Sequence, residues 1–254
     1  MSGMPASIVP DSIAIAILTI DREPQYVHAT IESLQKACRG LSRMPIVHVV
    51  VGCADSTYLD RYKSDASISI RELPPDLAAL NGKFSIYRRF CLNYWRCLGI
   101  SLDGKSGICI CEDDVVFRDG FLPKLCDTIR QMIEEAALSN HVLAAYAAYD
   151  FETNPSLYRR TLYCSYYAPS FYGTQCMYYS KGVVPALRQY LYDRGIRTEG
   201  PPGDMIIKEF CIEHNNLYAC TRSLVQHVGA RSTGLGHHHQ SPTFQRQFQH
   251  LPRW

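Results

Sequence analysis

The amino-acid sequence predicts an α/β protein with a Rossmann-like, mixed and mostly parallel sheet flanked by helices. Three observations predict this class. Short apolar runs alternate with amphipathic segments through residues 13–148, the runs are rich in β-branched residues, and one run ends directly in three acids. Near-continuous apolar strands are typical of parallel sheets that helices cover on both faces.

The elements of the first half follow in chain order. Apolar runs predict strands at 13–20, 45–51, 68–71, 107 up to the acids at 112–114, and 142–148. Apolar residues at helical spacing predict helices at 24–38, 84–98 and 122–138. The order from the first strand to the second is therefore β-α-β, the unit from which parallel sheets are built.

The second half is less regular. Strands are predicted at 163–167, 174–179, 217–220 and 223–227, and helices at 182–192 and 204–215. We expect the last two strands to complete the sheet. We also expect all 254 residues to form one domain, with a tail at 233–254 that lacks a core pattern.

The composition excludes some classes of function. Lysine and arginine number 26 against 24 acids, so the net charge of +2 gives no general field for nucleic-acid binding. The 11 cysteines are odd in number, and the sequence has no secretory signal pattern and no apolar run that could span a membrane. We therefore expect reduced thiols and a cytoplasmic protein.

The acids that end the fourth strand are the most informative feature. Repulsion among Glu112, Asp113 and Asp114 costs free energy unless a cation or a hydrogen-bond network offsets it, which suggests a metal site. Ligands of α/β sheets lie at the carboxyl ends of strands. We expect four segments with polar, chemically active side chains at such ends, namely 19–22, 112–114, 201–204 and 226–229.

These segments resemble those of a known family. The run from Ala14 to Glu23, Glu112-Asp-Asp-Val, Pro202-Gly-Asp-Met-Ile-Ile and Val225-Gln-His-Val-Gly are similar, in this order, to GT-A-fold glycosyltransferases, and most of all to the N-acetylglucosaminyltransferase IV group and its microbial relatives. The resemblance covers roughly residues 13–232. It implies a GT-A fold, a UDP-sugar donor, Mn²⁺ or Mg²⁺ bound by an acidic DxD-type motif, and inversion at the sugar.

The resemblance also implies roles for individual residues. It assigns metal ligation to Asp114 and, from the far side, to His227, with Glu112 facing the nucleotide or a metal-bound water. Strand alternation would turn Asp113 the other way, onto a backbone amide. Imidazole suits Mn²⁺ better than Mg²⁺. The alternatives are a solvated acidic turn and an ordinary core or surface histidine.

The remaining candidates concern the base and the donor. An inverting transfer needs a carboxylate base, for which Asp204 is the candidate and Glu199 the fallback; a helix N-cap is the alternative role for Asp204. The donor-binding candidates are Thr19, Asp21, Arg22, Glu112, Asp113 and Arg231. Simple surface solvation is the alternative for the two arginines. Cys109 and Cys111 have no second closely spaced cysteine pair, so we predict no zinc site.

Taken together, the residues and the resemblance predict a metal-dependent glycosyltransferase. The donor would be bound by about 12–150, and a glycan or glycoconjugate acceptor by about 151–232, which would also carry the base. The sugar implied by the resemblance is N-acetylglucosamine. Two other functions stay open from the residues alone: a nucleotidyltransferase, and a sugar- or nucleotide-binding module without activity.

Overall fold

The computed structural model describes residues 8–146, 161–171 and 173–229. The strands in this part of the chain are β1 (Ile13–Thr19), β2 (Val47–Val51), β3 (Ile68–Arg71), β4 (Gly107–Glu112), β5 (Val115–Phe117), β6 (Val142–Ala144), β7 (Tyr163–Ser165), β8 (Cys176–Ser180), β9 (Leu217–Cys220) and β10 (Val225–His227). The α-helices are α1 (Val27–Ala37), α2 (Pro75–Asn81), α3 (Ile86–Cys97), α4 (Phe121–Ala136), α5 (Val184–Leu191) and α6 (Gly203–His214).

Eight of the strands form one sheet in the order β3-β2-β1-β4-β8-β6-β9-β7. Strands β3, β2, β1 and β4 are parallel neighbours, and β6 and β9 run in the same direction, whereas β8 and β7 are reversed. The predicted mixed, mostly parallel sheet is confirmed. The carboxyl ends of β1 and β4, both of which precede polar segments, therefore lie side by side.

Helices cover both faces of this sheet because β1 is apolar on both sides. Its odd-numbered isoleucines pack with α1 and α4, and its even-numbered residues pack with α3, α5 and α6. Each fully buried aliphatic side chain contributes roughly 1.5–3 kcal/mol to folding. The buried sheet thus positions the polar segments that follow the carboxyl ends of β1 and β4.

The structure corrects three expectations. Strand β10 does not complete the main sheet but pairs with β5 in a separate two-stranded sheet. Residues 201–204 follow a π-helical turn, Tyr192–Ile196, and lead into α6, so they do not lie at the end of a strand. Helix α2 was not predicted; it begins at Pro75, which is favourable at the first helical position because its missing N–H needs no partner there.

The described part of the chain contains no helix that is both long enough and apolar enough to cross a membrane. All eleven cysteines are free thiols.

Candidate active site

Asp114 and His227 meet although 112 residues separate them in the sequence. Strand β4 ends at Glu112, a short turn carries the next two acids, and β5 then pairs with β10 so that His227 lies opposite Val115. The His227 Nε2 atom lies 3.3 Å from Asp114 Oδ2. The amide of Val228 also donates to the Asp114 carbonyl at 2.8 Å. The two-stranded sheet therefore brings together the two side chains that were predicted to share an ion.

Thr30 on α1 stabilises the acidic turn through contacts with its backbone. Its hydroxyl lies 2.6 Å from the Asp113 carbonyl oxygen and 2.8 Å from that of Val115, and the threonine is fully buried. Sequence reasoning missed this residue. The one available signal was a threonine on the otherwise apolar face of a predicted helix. That signal does not show which backbone carbonyl groups its hydroxyl contacts.

Arg22 neutralises the acids from the end of β1. Its Nη2 atom contacts the Asp113 carboxylate and lies 3.0 Å from Asp114 Oδ2, and all three side chains are at most 12% exposed. Asp113 also accepts a hydrogen bond from Thr19 Oγ1 at 2.7 Å and one from the Ile20 amide. Asp113 is thus turned toward β1, where the Ile20 amide and Thr19 hold its carboxylate, but it does not point away from Asp114, because Arg22 contacts both acids.

Burial and neighbouring charges shift the pKa values of the three acids and of His227 in different directions. Burial raises the pKa of Asp113 to about 6, and burial together with the Asp114 charge raises the pKa of Glu112 to about 7. Burial also opposes the ionised form of Asp114, but hydrogen bonding and charge from His227 and the charge of Arg22 outweigh it and lower the pKa of Asp114. The same pairing outweighs burial at His227 and raises its pKa. Of the three acids, Asp114 is therefore the one whose surroundings favour the ionised form.

Two consecutive residues connect the acids to Asp204. The hydroxyl of Thr174 donates to Glu112 Oε1 at 2.7 Å, and the amide of Gly173 lies 3.5 Å from Asp204 Oδ2. Asp204 is the second residue of α6, and Pro202 is the cap, so the N-cap role expected as its alternative is wrong. A carboxylate in the first helical turn still interacts favourably with the helix dipole.

The other predicted residues are less tightly connected to this cluster. Asp21 is exposed and accepts a hydrogen bond from Gln25 Nε2 at 3.1 Å. Glu199 is exposed in the segment before α6. Arg231 lies outside the described residues, as do the predicted tail and part of the predicted acceptor-binding half.

A solved structure shares this arrangement of strands and helices. The chain aligns with S. aureus TarS at a TM-score of 0.50 and 11% identity, over 83% of this chain and 58% of that one. The fold is of the GT-A type. The chain also aligns with the galactosyltransferase LgtC, solved in complex with donor and acceptor sugar analogs, at a TM-score of 0.46 and 11% identity, over 78% of this chain and 70% of that one. At this level of identity the similarity shows the fold alone.

No protein-family model and no curated protein matches the sequence. The resemblance to the N-acetylglucosaminyltransferase IV group stays a prediction.

Proposed function

We propose that this protein is a glycosyltransferase that moves a sugar from a UDP-sugar to a hydroxyl group of a glycan or glycoconjugate, with inversion and with the aid of Mn²⁺ or Mg²⁺. One observation carries the proposal: a buried aspartate in the turn after β4 and a histidine at the end of β10 meet at the carboxyl end of β4, beside that of β1. In open α/β sheets this edge is where ligands bind.

The residues fit a divalent cation. The separation of 3.3 Å between His227 Nε2 and Asp114 Oδ2 is close to the roughly 3.0 Å between neighbouring ligands of an octahedral cation of this size. Asp114 Oδ1 is buried and has no hydrogen-bond partner among the described residues, so it offers a free acceptor. An imidazole beside a carboxylate favours manganese over magnesium.

The close approach of Gly229 supports the same assignment. A Cβ atom at this position would lie 2.4 Å from Asp114 Oδ2 and 3.0 Å from His227 Nε2. Contacts under about 3.0 Å are not tolerated without movement, so a side chain here would push the two ligand atoms apart. Glycine at this position therefore lets the backbone pass close to both ligand atoms without displacing them.

Each residue then has a task in the transfer. Asp114 and His227 would hold the cation, which when bound neutralises charge on the departing diphosphate. Arg22 has a buried Nε atom without a partner among the described residues, and a diphosphate oxygen could accept its hydrogen bond. Thr19, Thr30 and Asp113 orient these groups.

Asp204 is proposed as the base. As the acceptor oxygen bonds to the anomeric carbon, the bond from that carbon to the diphosphate breaks, UDP departs, and the hydroxyl proton moves to the Asp204 carboxylate. The bridge of Gly173 and Thr174 between Asp204 and Glu112 supports a position beside the donor site. We expect Asp204→Asn to lower kcat by about 10²–10⁴-fold with donor binding unchanged. Glu199→Gln tests the fallback base and should leave kcat nearly unchanged if Asp204 is the base.

The function is tested with a panel of nucleotide-sugars, including UDP-N-acetylglucosamine, in the presence of Mn²⁺. We expect slow release of UDP from one donor even without an acceptor, and loss of that release in Asp114→Asn but not in Asp119→Asn, an exposed acid two residues beyond β5. Release of pyrophosphate instead would identify a nucleotidyltransferase. Donor binding without any release would identify a binding module, and either result overturns the proposal.

A further inference from the structure

Three cysteine sulfurs converge inside the main sheet, on β8 and on the strand β4 that ends in the acids described above. The Sγ atoms of Cys111 and Cys176 are 3.3 Å apart, those of Cys109 and Cys176 are 3.5 Å apart, and those of Cys109 and Cys111 are 3.8 Å apart. All three residues are fully buried. No other group of three or more metal-ligating side chains in the described part of the chain is as close together.

The strand register explains the convergence. Cys109 and Cys111 share one face of β4 because side chains alternate along a strand. Strand β8 runs antiparallel to β4 with Cys176 opposite Cys111. The amide of Glu112 donates to the Gln175 carbonyl at 3.0 Å, so the pair beside it is not hydrogen-bonded. Such pairs bring opposing side chains closest together. The third sulfur comes from a distant strand, which is why the sequence indicated no metal site here.

The spacing suits a metal ion. With metal–sulfur bonds of about 2.3 Å, three sulfurs around one ion lie roughly 3.8–4.0 Å apart. The observed separations of 3.3–3.8 Å need adjustments of only several tenths of an ångström.

The surroundings select the kind of ion. Structural zinc sites are almost always four-coordinate, and the described residues supply three ligands in a core of apolar neighbours such as Ile15 and Ile17, which lie opposite Cys109 and Cys111 on β1. Soft thiolate ligands select copper(I), which accepts three sulfurs without a fourth ligand.

We propose that Cys109, Cys111 and Cys176 form a binding site for one soft monovalent cation of the copper(I) class. Binding forms the metal–sulfur bonds, releases the displaced thiol protons to solvent and involves no change of oxidation state. The three ligand atoms are cysteine sulfurs to which the proposed transfer assigns no role, so the inference does not depend on the proposed glycosyltransferase activity. The alternative is that the three thiols only fill core volume and bind no metal, and the experiment must exclude it.

The experiment titrates the reduced full chain with copper(I) in the absence of oxygen, against a coloured copper(I) chelator. We expect one tightly bound ion per chain and an X-ray absorption spectrum with sulfur as the neighbouring atoms. Cys176→Ala should weaken binding by more than the roughly 10–100-fold that loss of an orienting neighbour causes. Cys126→Ala is the matched control because this cysteine is buried in the same core but outside the cluster.

Thermal unfolding with and without copper(I) gives a second readout. The unfolding temperature of the wild type and of Cys126→Ala should rise with copper(I), and that of Cys176→Ala should not. If Cys176→Ala does not fold, Cys109→Ala and Cys111→Ala replace it in both measurements. All variants keep every histidine of the chain, so copper held by histidine cannot produce the difference. Equal binding by the wild type and the cluster variants, or none by the reduced wild type, overturns the proposal.

Discussion

Removing the Arg22 guanidinium is expected to destabilise the protein strongly in the absence of metal. The Arg22→Met variant keeps the length of the side chain but leaves Asp113 and Asp114 without their nearest cation. Their side chains are 7% and 5% exposed, so water cannot replace it. Breaking a buried ion pair in this way costs about 3–5 kcal/mol.

The size of the effect can be converted into an unfolding temperature. For a chain of this length, each kilocalorie per mole shifts the unfolding temperature by about 2–4 °C, so we expect a decrease of about 6–20 °C. The decrease should be larger at pH 8 than at pH 5, because burial already raises the pKa of Asp113 to about 6 and loss of Arg22 raises it further. Protonation therefore relieves the unpaired charge at low pH, and the destabilisation appears as the pH rises through that pKa.

The matched control is Arg61→Met. Arg61 lies 2.7 Å from Glu32, but these two side chains are 50% and 65% exposed, and exposed pairs contribute about 0–1 kcal/mol. Calorimetry of both variants at two pH values, with and without Mn²⁺, measures the difference. Mn²⁺ should restore more stability to Arg22→Met than to the wild type because the cation takes over the role of the guanidinium. A loss of stability in Arg22→Met no larger than that in Arg61→Met would show that the buried pair contributes no more than the exposed one.

Two further predictions concern the ligand pair and the response to acid. Gly229→Ala should weaken Mn²⁺ binding by about 10–100-fold, because the added Cβ atom would displace Asp114 and His227. The control is Gly82→Ala, which has open space around it and should bind Mn²⁺ like the wild type. Calorimetric titration measures the binding of Mn²⁺ to both variants. The protein should lose up to about 3 kcal/mol of stability as the pH falls from 6.5 to 4, because burial lowers the pKa of His141 to about 4 and its Nε2 atom has no partner among the described residues. His141→Phe should remove that part of the pH dependence, and unchanged acid unfolding curves would contradict this.

The main strands and helices could be predicted because their physical signals are local. β1, β2 and β4 are buried on both faces and therefore read as continuous apolar runs. β5 and β10 are three residues long, and nothing in so short a segment specifies its partner, so their separate sheet was not predicted. Sheet partners are set by tertiary packing, which a single sequence does not display.

The candidate site could likewise be predicted only in part. The residue types of Asp114 and His227 could be selected from the sequence, but not their 3.3 Å separation, which depends on the pairing of β5 with β10. The sequence suggested a position near the diphosphate for Arg22 but not its contacts with two acids. Cys176 joins the cysteines of β4 only through antiparallel pairing, so no spacing rule could find it.

The proposed function requires that Asp114 and His227 bind one cation together. Pulsed electron paramagnetic resonance of Mn²⁺ bound to the full chain in the presence of UDP tests this directly, because a coordinated imidazole nitrogen couples to the manganese electrons. We predict a nitrogen coupling in the wild type that is absent from His227→Gln, together with weaker Mn²⁺ binding by Asp114→Asn than by Asp119→Asn. Bound Mn²⁺ without a nitrogen coupling in the wild type, or with a coupling that persists in His227→Gln, would contradict the account.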